Sequence, residues 1–497
     1  MGHQPVLKFY VERVLLISLL TAVLLSACLG PPVSNSQETP QSPSSATPAP
    51  LPITQRPVYA PGELVPYTAQ SGDTLPNLAF RFNTTIEEIL AANEIIPEDA
   101  TTLPPGLPME IPIYYEGLWG SQFQVIPDCA FVNGPPQIGF DTADFVDSQP
   151  GWLKDFRQLA GWEYRNGPEI VDLIATRFSV SPRLLLAILE YQLGALSNPD
   201  MPSGLVTGYP LGYRATGYNG LYRQLVWTAN RLNQGYYGWL EGKLDTIEFG
   251  DQTIEHPDPW QNAATVALSY YFSKLESRGI YYYTLGPDGL FKTYQELFGD
   301  PWTCQPLIPG SLRQPTMILP FSSGKTWAFT GGPHTGWGQG DPWAALDFAP
   351  PSIGGGCEIT SEWAIAVAPG IIARSEPGLV VLDLDGDGDP RTGWIVSYLH
   401  LGTQDKIPAG REVETGEQLG HPSCEGGEST GTHIHLSRKY NGQWITAGGV
   451  IPFNLSDWIA RAGTSEYKGS LTRFGEVVIA SSESDAKSLI RAPDPAP

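Results

Sequence analysis

The sequence predicts a modular, multidomain chain: a small N-terminal unit behind a Pro-rich spacer, a mainly helical middle region and an antiparallel β region at the C-terminus. Three observations predict it. At 497 residues the chain exceeds one ordinary core, and length alone suggests about two to four domains. From Pro31 to about Pro61 the sequence is dominated by Pro, Ser, Thr and Ala, with almost nothing to bury. Near Pro306 helical periodicity gives way to short apolar runs separated by glycines.

Composition narrows the function. Against 29 Lys plus Arg stand 52 Asp plus Glu, a formal charge of -23, which excludes electrostatic binding to nucleic acid. A neutral glycan or peptide polymer fits better. The 14 Trp and 22 Tyr suit sugar faces and ordinary cores alike.

At the N-terminus Lys8 and Arg13 precede an apolar run from Val14 to Leu25, too short for a comfortable membrane span and typical of a secretion signal. It ends in Leu25-Ser26-Ala27-Cys28, which resembles the lipobox of bacterial lipoproteins. The resemblance implies a signal peptide over 1–28, a lipid anchor on Cys28 and an extracytoplasmic location facing the cell wall. Residues 29–64 are then an extended spacer from the membrane. The remaining Cys129, Cys304, Cys357 and Cys424 are even in number, as in oxidising compartments. Of the three possible pairings, nesting within domains favours Cys129 with Cys304 and Cys357 with Cys424. A zinc site made of the four lacks paired short spacings.

Residues 65–114 carry Tyr67, Ser71-Gly72-Asp73-Thr74-Leu75, Leu78-Ala79, Phe82, Ile86, Ile89, Ala92-Asn93, Gly106 and Ile111-Pro112. Gly72-Asp73 supplies a turn, and Leu75, Leu78, Ala79 and Phe82 recur at helical spacing. The unit resembles a LysM domain, the small βααβ module that binds N-acetylglucosamine in peptidoglycan. Pro76 departs from the usual pattern but falls in the first helical turn, where proline is tolerated.

In the mainly helical region, 125–305, Ser181-Pro182 reads as an N-cap followed by proline at the first helical position. The run Arg183–Leu193 is apolar nearly all round, as in a buried central helix. Further helices are expected from about Asn219 to Gln234 and Gln261 to Leu275. The string Leu185-Leu186-Ala187-Ile188-Leu189-Glu190-Tyr191-Gln192 resembles the catalytic helix of lysozyme-like transglycosylases, with Gln192 where that family has its acid. An amide cannot protonate a glycosidic oxygen. Glu190, two residues away, is rotated by about 200° on a helix. The region therefore reads as a degenerate transglycosylase-like domain, and an active glycan-cleaving domain is the rival.

Residues 306–462 hold His334, His400, His421, His433 and His435, five of the chain's seven histidines. In Ser429-Thr430-Gly431-Thr432-His433-Ile434-His435, strand alternation puts His433 and His435 on one face, a common metal-site geometry. Upstream lie Gly332-Pro333-His334-Thr335-Gly336, Leu346-Asp347-Phe348 and Tyr398-Leu399-His400-Leu401, and Val413 to Gly420, with its Gly416-Glu417-Gln418-Leu419-Gly420, reads as the intervening strand. In this order the motifs resemble those of lysostaphin-type (LytM-like) zinc metallopeptidases. The resemblance implies zinc ligands His334, Asp347 and His435, and a catalytic pair His400 and His433. It also implies a peptidoglycan hydrolase of the DD-endopeptidase class that cuts peptide cross-links, with peptidoglycan as partner. Two histidines and a carboxylate leave a fourth zinc position for water.

Two departures stand out. The insert between His334 and Asp347 is long and Trp-bearing, which makes Asp341 a rival ligand and the insert a candidate cover. Ser437 stands where the family commonly has an acid. His421, in Gly420-His421-Pro422, reads as a loop residue. Asp383, Asp385, Asp387 and Asp389 resemble the start of a calcium loop, but Trp394 stands at the twelfth position; a solvated hairpin turn is the alternative. Residues 463–497 read as a polar tail. A noncatalytic wall-binding or regulatory lipoprotein is the rival from another class.

Overall fold

The computed structural model describes residues 56–352, 355–358 and 360–494, all within one unit that begins at Ala49. The signal peptide, Cys28 and residues 29–55 of the spacer lie outside the described residues. Among the described residues no helix is long and apolar enough to cross a membrane.

The first module folds as strand Glu63–Thr68, helices Leu75–Arg81 and Ile86–Ala92, and strand Pro108–Ile113, with the two strands antiparallel. Thr74 and Thr85 each close a capping box, with Asn77 and Glu88, which satisfies orphan amides at both helix starts. Pro76 sits in the first turn. Leu78, Phe82 and Ile89 are fully buried. Asp73 accepts from the Tyr67 hydroxyl at 2.6 Å, the Gln70 amide at 2.7 Å and Arg81 at 2.9 Å, so its buried charge is paired and hydrogen-bonded. The module's loops also hold the segment that leads into the β region. Ser71 Oγ accepts from the amides of Leu307 and Ile308, and Thr102 Oγ1 donates to the Pro309 carbonyl.

In the middle region, helices Gly167–Phe178, Pro182–Leu193, Leu221–Leu240 and Ala263–Phe272 enclose one apolar core. Ser181 caps Pro182–Leu193 by accepting from the Leu184 amide, and Leu184 through Leu189 are fully buried. Leu221–Leu240 runs past the expected Gln234 because Gly235 and Gly238 interrupt the sequence pattern without breaking the helix. A Cβ on Gly235 would lie 2.7 Å from Ala267 Cα, so the glycine permits close helix–helix approach. Gln192 accepts from the Tyr271 hydroxyl at 2.9 Å, and Glu190 accepts from the amides of Leu196 and Ser197. Both side chains are used in structural hydrogen bonds.

The C-terminal region is built on a nine-stranded sheet. Its order is Glu412–Val413, Gly370–Glu376, Gly378–Asp383, Trp394–Leu401, Ile434–Tyr440, Ala345–Ala349, Thr326–His334 and Leu489–Arg491, with Gln443–Trp444 paired beside Ile434–Tyr440. Two readings are corrected here. Val413 to Gly420 is not one strand: a turn at Gly416, with φ of 88°, divides it into Glu412–Val413 and Gln418–Gly420, which join different sheets. Residues 463–494 are not a polar tail. Gly469–Arg473 and Glu476–Ile479 form a hairpin, and Leu489–Arg491 pairs with Thr326–Ala328 at the edge of the main sheet. Trp394 and Trp444 bury their rings in the core of the helical region, so the two regions share apolar packing. Disulfides join Cys129 to Cys304 and Cys357 to Cys424.

Candidate metal centre and its cleft

Strand register assembles the site. Asp347 lies directly across from His435 on one side and from Gly331 on the other. A Cβ on Gly331 would fall 2.4 Å from Asp347 Oδ2, so only glycine leaves room for that carboxylate. His334 ends its strand after two register shifts. His400 is the extra residue of a bulge, since Leu399 and Leu401 pair with Leu379 and Gly378 while His400 is skipped. Its φ of 66° is a strained conformation for a non-glycine residue, of the kind a bulge uses to re-aim a side chain.

Three donor atoms converge. His334 Nε2 and His435 Nδ1 are 3.0 Å apart, and Asp347 Oδ1 lies 3.3 Å from the first and 3.4 Å from the second. The opposite ring nitrogens face carbonyl oxygens: His334 Nδ1 is 2.8 Å from Gly332 O, and His435 Nε2 is 3.2 Å from Gly336 O. A carbonyl only accepts, so those nitrogens carry the protons and the converging nitrogens present lone pairs. Asp347 Oδ1 is buried and receives no hydrogen bond. Two lone pairs and an unsatisfied carboxylate oxygen at one point need a cation. Ligands about 2.0–2.2 Å from a tetrahedral zinc lie about 3.3–3.5 Å apart, close to the observed spacings.

Burial opposes ionisation of Asp347, but the positive charge His334 carries when protonated outweighs it and holds the carboxyl well below the usual range, and Asp347 in turn pushes His334 up against that ring's own burial. His435 is pushed down by its burial. Burial, with His433 beside it, pushes His400 down to about 4, so that ring is neutral at pH 7. His400 Nδ1 donates to Glu425 O at 2.9 Å and His433 Nδ1 to Gly431 O at 2.8 Å, which turns both Nε2 lone pairs toward the cleft. Their ring centroids are 4.5 Å apart, and His433 Nε2 lies 3.8 Å from Asp347 Oδ1.

The structure does not bring the other candidates here. Asp341 pairs with Lys243 of the helical region at 3.2 Å. His421 Nδ1 lies 2.8 Å from Glu362 O and its ring packs on Trp363. Asp383, Asp385 and Asp387 approach one another on a separate hairpin. There Asp383 accepts from the amides of Asp385 and Gly388, while Asp389 is drawn off by Arg391 at 2.7 Å. These bonds are those of a capped turn. Tyr467 escaped the sequence reading: its ring stacks on His334 at 4.1 Å. The hairpin after it had a signal, since the apolar run Val477–Ala480 follows Phe474-Gly475, whose φ values of 47° and 90° are those of a tight hairpin turn.

The site opens into a cleft of about 1320 Å³, walled on the helical side by Arg177, Phe178, Tyr218, Tyr222 and Asn230. The insert between His334 and Asp347 is tied to that wall. The Gln339 amide donates to Asn230 Oδ1 at 2.9 Å, and Trp337 stacks under Arg177 at 5.3 Å.

An antiparallel sheet carrying this donor set defines a metallopeptidase. The LasA N-terminal domain matches residues 124–311, and the LysM domain matches residues 67–112. Protease LasA of Pseudomonas aeruginosa is 25% identical over 350 residues, covering 66% of this chain and 78% of the relative. The beta-lytic metalloendopeptidase of Lysobacter enzymogenes is 30% identical over 165 residues, covering 31% of this chain and 85% of the relative. The chain belongs to the beta-lytic metalloendopeptidase family. Among solved structures, the deep-sea M23 metalloprotease pseudoalterin is 28% identical, with a TM-score of 0.29 over 34% of this chain and 96% of that one.

Proposed function

We propose that the chain is a zinc endopeptidase that cuts the peptide cross-links of peptidoglycan, brought to the wall by its LysM module and tethered to the membrane through lipidated Cys28. The observation that carries this reading is the convergence of His334 Nε2, His435 Nδ1 and the unsatisfied Asp347 Oδ1. These three residues hold the zinc. Bound there, zinc supplies the Lewis acidity that brings the pKa of water to about 7 and polarises an amide carbonyl.

His400 and His433 are the catalytic pair. Each is fixed by an Nδ1–H bond to a backbone carbonyl, so each offers Nε2 as a base. A neutral His400 takes the proton of the attacking water. Once protonated, an imidazole at this position donates to the developing oxyanion or to the leaving amine. Trp337 and Tyr467 line the cleft beside them and exclude water around the scissile bond. Calcium forms no part of this reading, because the turn's own amides and Arg391 satisfy the carboxylates of Asp383 and Asp389.

The test is removal and return of metal. Chelation abolishes the release of soluble peptides from purified peptidoglycan, and stoichiometric zinc restores it; full activity in a chain stripped of metal contradicts the proposal. A second expectation concerns Gly331→Ala. The added methyl displaces the Asp347 carboxylate, and zinc affinity measured against a competing chelator falls by about 10–100-fold, as for other disruptions of ligand orientation. Unchanged affinity would show that Asp347 is not held as described.

A further inference from the structure

Beside the metal centre lies a second, smaller cavity of about 60 Å³, which shares Arg177, Gly336, Trp337, Leu399 and His435 with the main cleft. At about 30 Å³ per water in the liquid, it has room for a carboxylate group. Its charged lining residues are Arg177, Arg374, Glu376 and Lys439. Arg374 is paired with Glu376 at 2.6 Å. Arg177 and Lys439 make no ion pair with any described residue, although the chain carries 23 negative charges in excess. Each rests instead on an indole: Arg177 over Trp337 at 5.3 Å, and Lys439 Nζ 4.2 Å from the Trp444 centroid. Ser397 and Ser437 add hydroxyls but no charge.

Two cations left without counter-ions in one small cavity, in an acidic protein, describe a receptor for an anion. Burial, with Arg374 adding to it, pushes Lys439 down to about 7, and an anionic ligand is what would hold it charged. The cavity adjoins the metal centre through His435, which lines both it and the main cleft. Substrate peptides of the wall carry free carboxylates.

We propose that this side cavity is a carboxylate subsite, in which Arg177 and Lys439 hold a free carboxylate of the peptide substrate and set which bond reaches the metal centre. Arg177 comes from the helical region, which thereby contributes to substrate recognition. The proposal rests on the peptidase reading above.

The test uses the whole chain stripped of zinc, so that binding is read without turnover. Its probes are a cross-linked dimer of stem peptides with free carboxylates, the same dimer as its C-terminal carboxamide, and a third with the side-chain carboxyl amidated. Calorimetry should show about tenfold weaker binding for one amidated form, identifying which carboxylate enters, in line with the strength of charge-assisted hydrogen bonds. Arg177→Gln with Lys439→Gln should erase that difference while leaving affinity for the affected amide unchanged, and Arg177→Lys should retain part of it. Equal binding of all three probes overturns the subsite, as does a double variant that weakens all three alike. The zinc-loaded chain separates the two readings. Cleavage of the probes without preference removes the subsite alone, whereas cleavage of none removes the peptidase reading and the subsite with it.

Discussion

Replacing His435 with alanine is expected to empty the metal centre and abolish endopeptidase activity, with turnover falling below about one thousandth of wild type. His435 is central in the sheet, paired with Asp347 on one side and Leu399 on the other, and its Nδ1 is one of three converging donors. Without it two donors remain, and the open coordination sphere competes poorly with water. Metal analysis of the purified variant should find zinc near zero against about one equivalent in wild type. Asp341→Asn is the control. Its carboxylate is engaged by Lys243, so the variant should keep its zinc and its activity.

His433→Ala is expected to have the second largest effect, of a different kind. The ring sits beside the donor set, with Nδ1 bound to Gly431 O and Nε2 free toward the cleft. Loss of a positioned general acid–base costs about 10²–10⁴-fold in rate. Turnover should fall by that factor while zinc content and KM stay near wild type. A variant that loses its zinc as well would make His433 a ligand. One that keeps its rate would leave His400 as the sole acid–base.

Much of this site was legible in the sequence because strand alternation is local. The spacing of His433 and His435 dictates a shared face whatever the rest of the chain does. The choice of Asp347 over Asp341 followed from alternating apolar neighbours in one case and a Gly-Asp-Pro turn in the other, and the structure gives Asp341 a partner in Lys243. What stayed hidden depends on contacts far apart in sequence. Tyr467 reaches His334 because its backbone bonds to Gly332 and Pro333, more than 130 residues earlier in the chain. Short edge strands such as Leu489–Arg491 give little periodic signal, since three residues are too few to show alternation and only Ile490 of the three is buried. Arg177 carries no motif at all; its place in the cleft follows from the packing of Trp394 and Trp444 into the helical core.

That packing also gives the long insert its role. Tied to Asn230 and Arg177, the residues after His334 form a fixed wall of the cleft and join the two regions. The LysM module adds a third tie, through Ser71 and Thr102, to the segment that links them. Three modules that look separable in sequence therefore share one framework around the metal centre.

The account is tested most directly by mass spectrometry of the fragments that the folded chain releases from purified peptidoglycan, compared with those released by His435→Ala. The account predicts new peptide termini in the wild-type digest and none in the variant. Glycan fragments released equally by both proteins, with every cross-link intact, would contradict it.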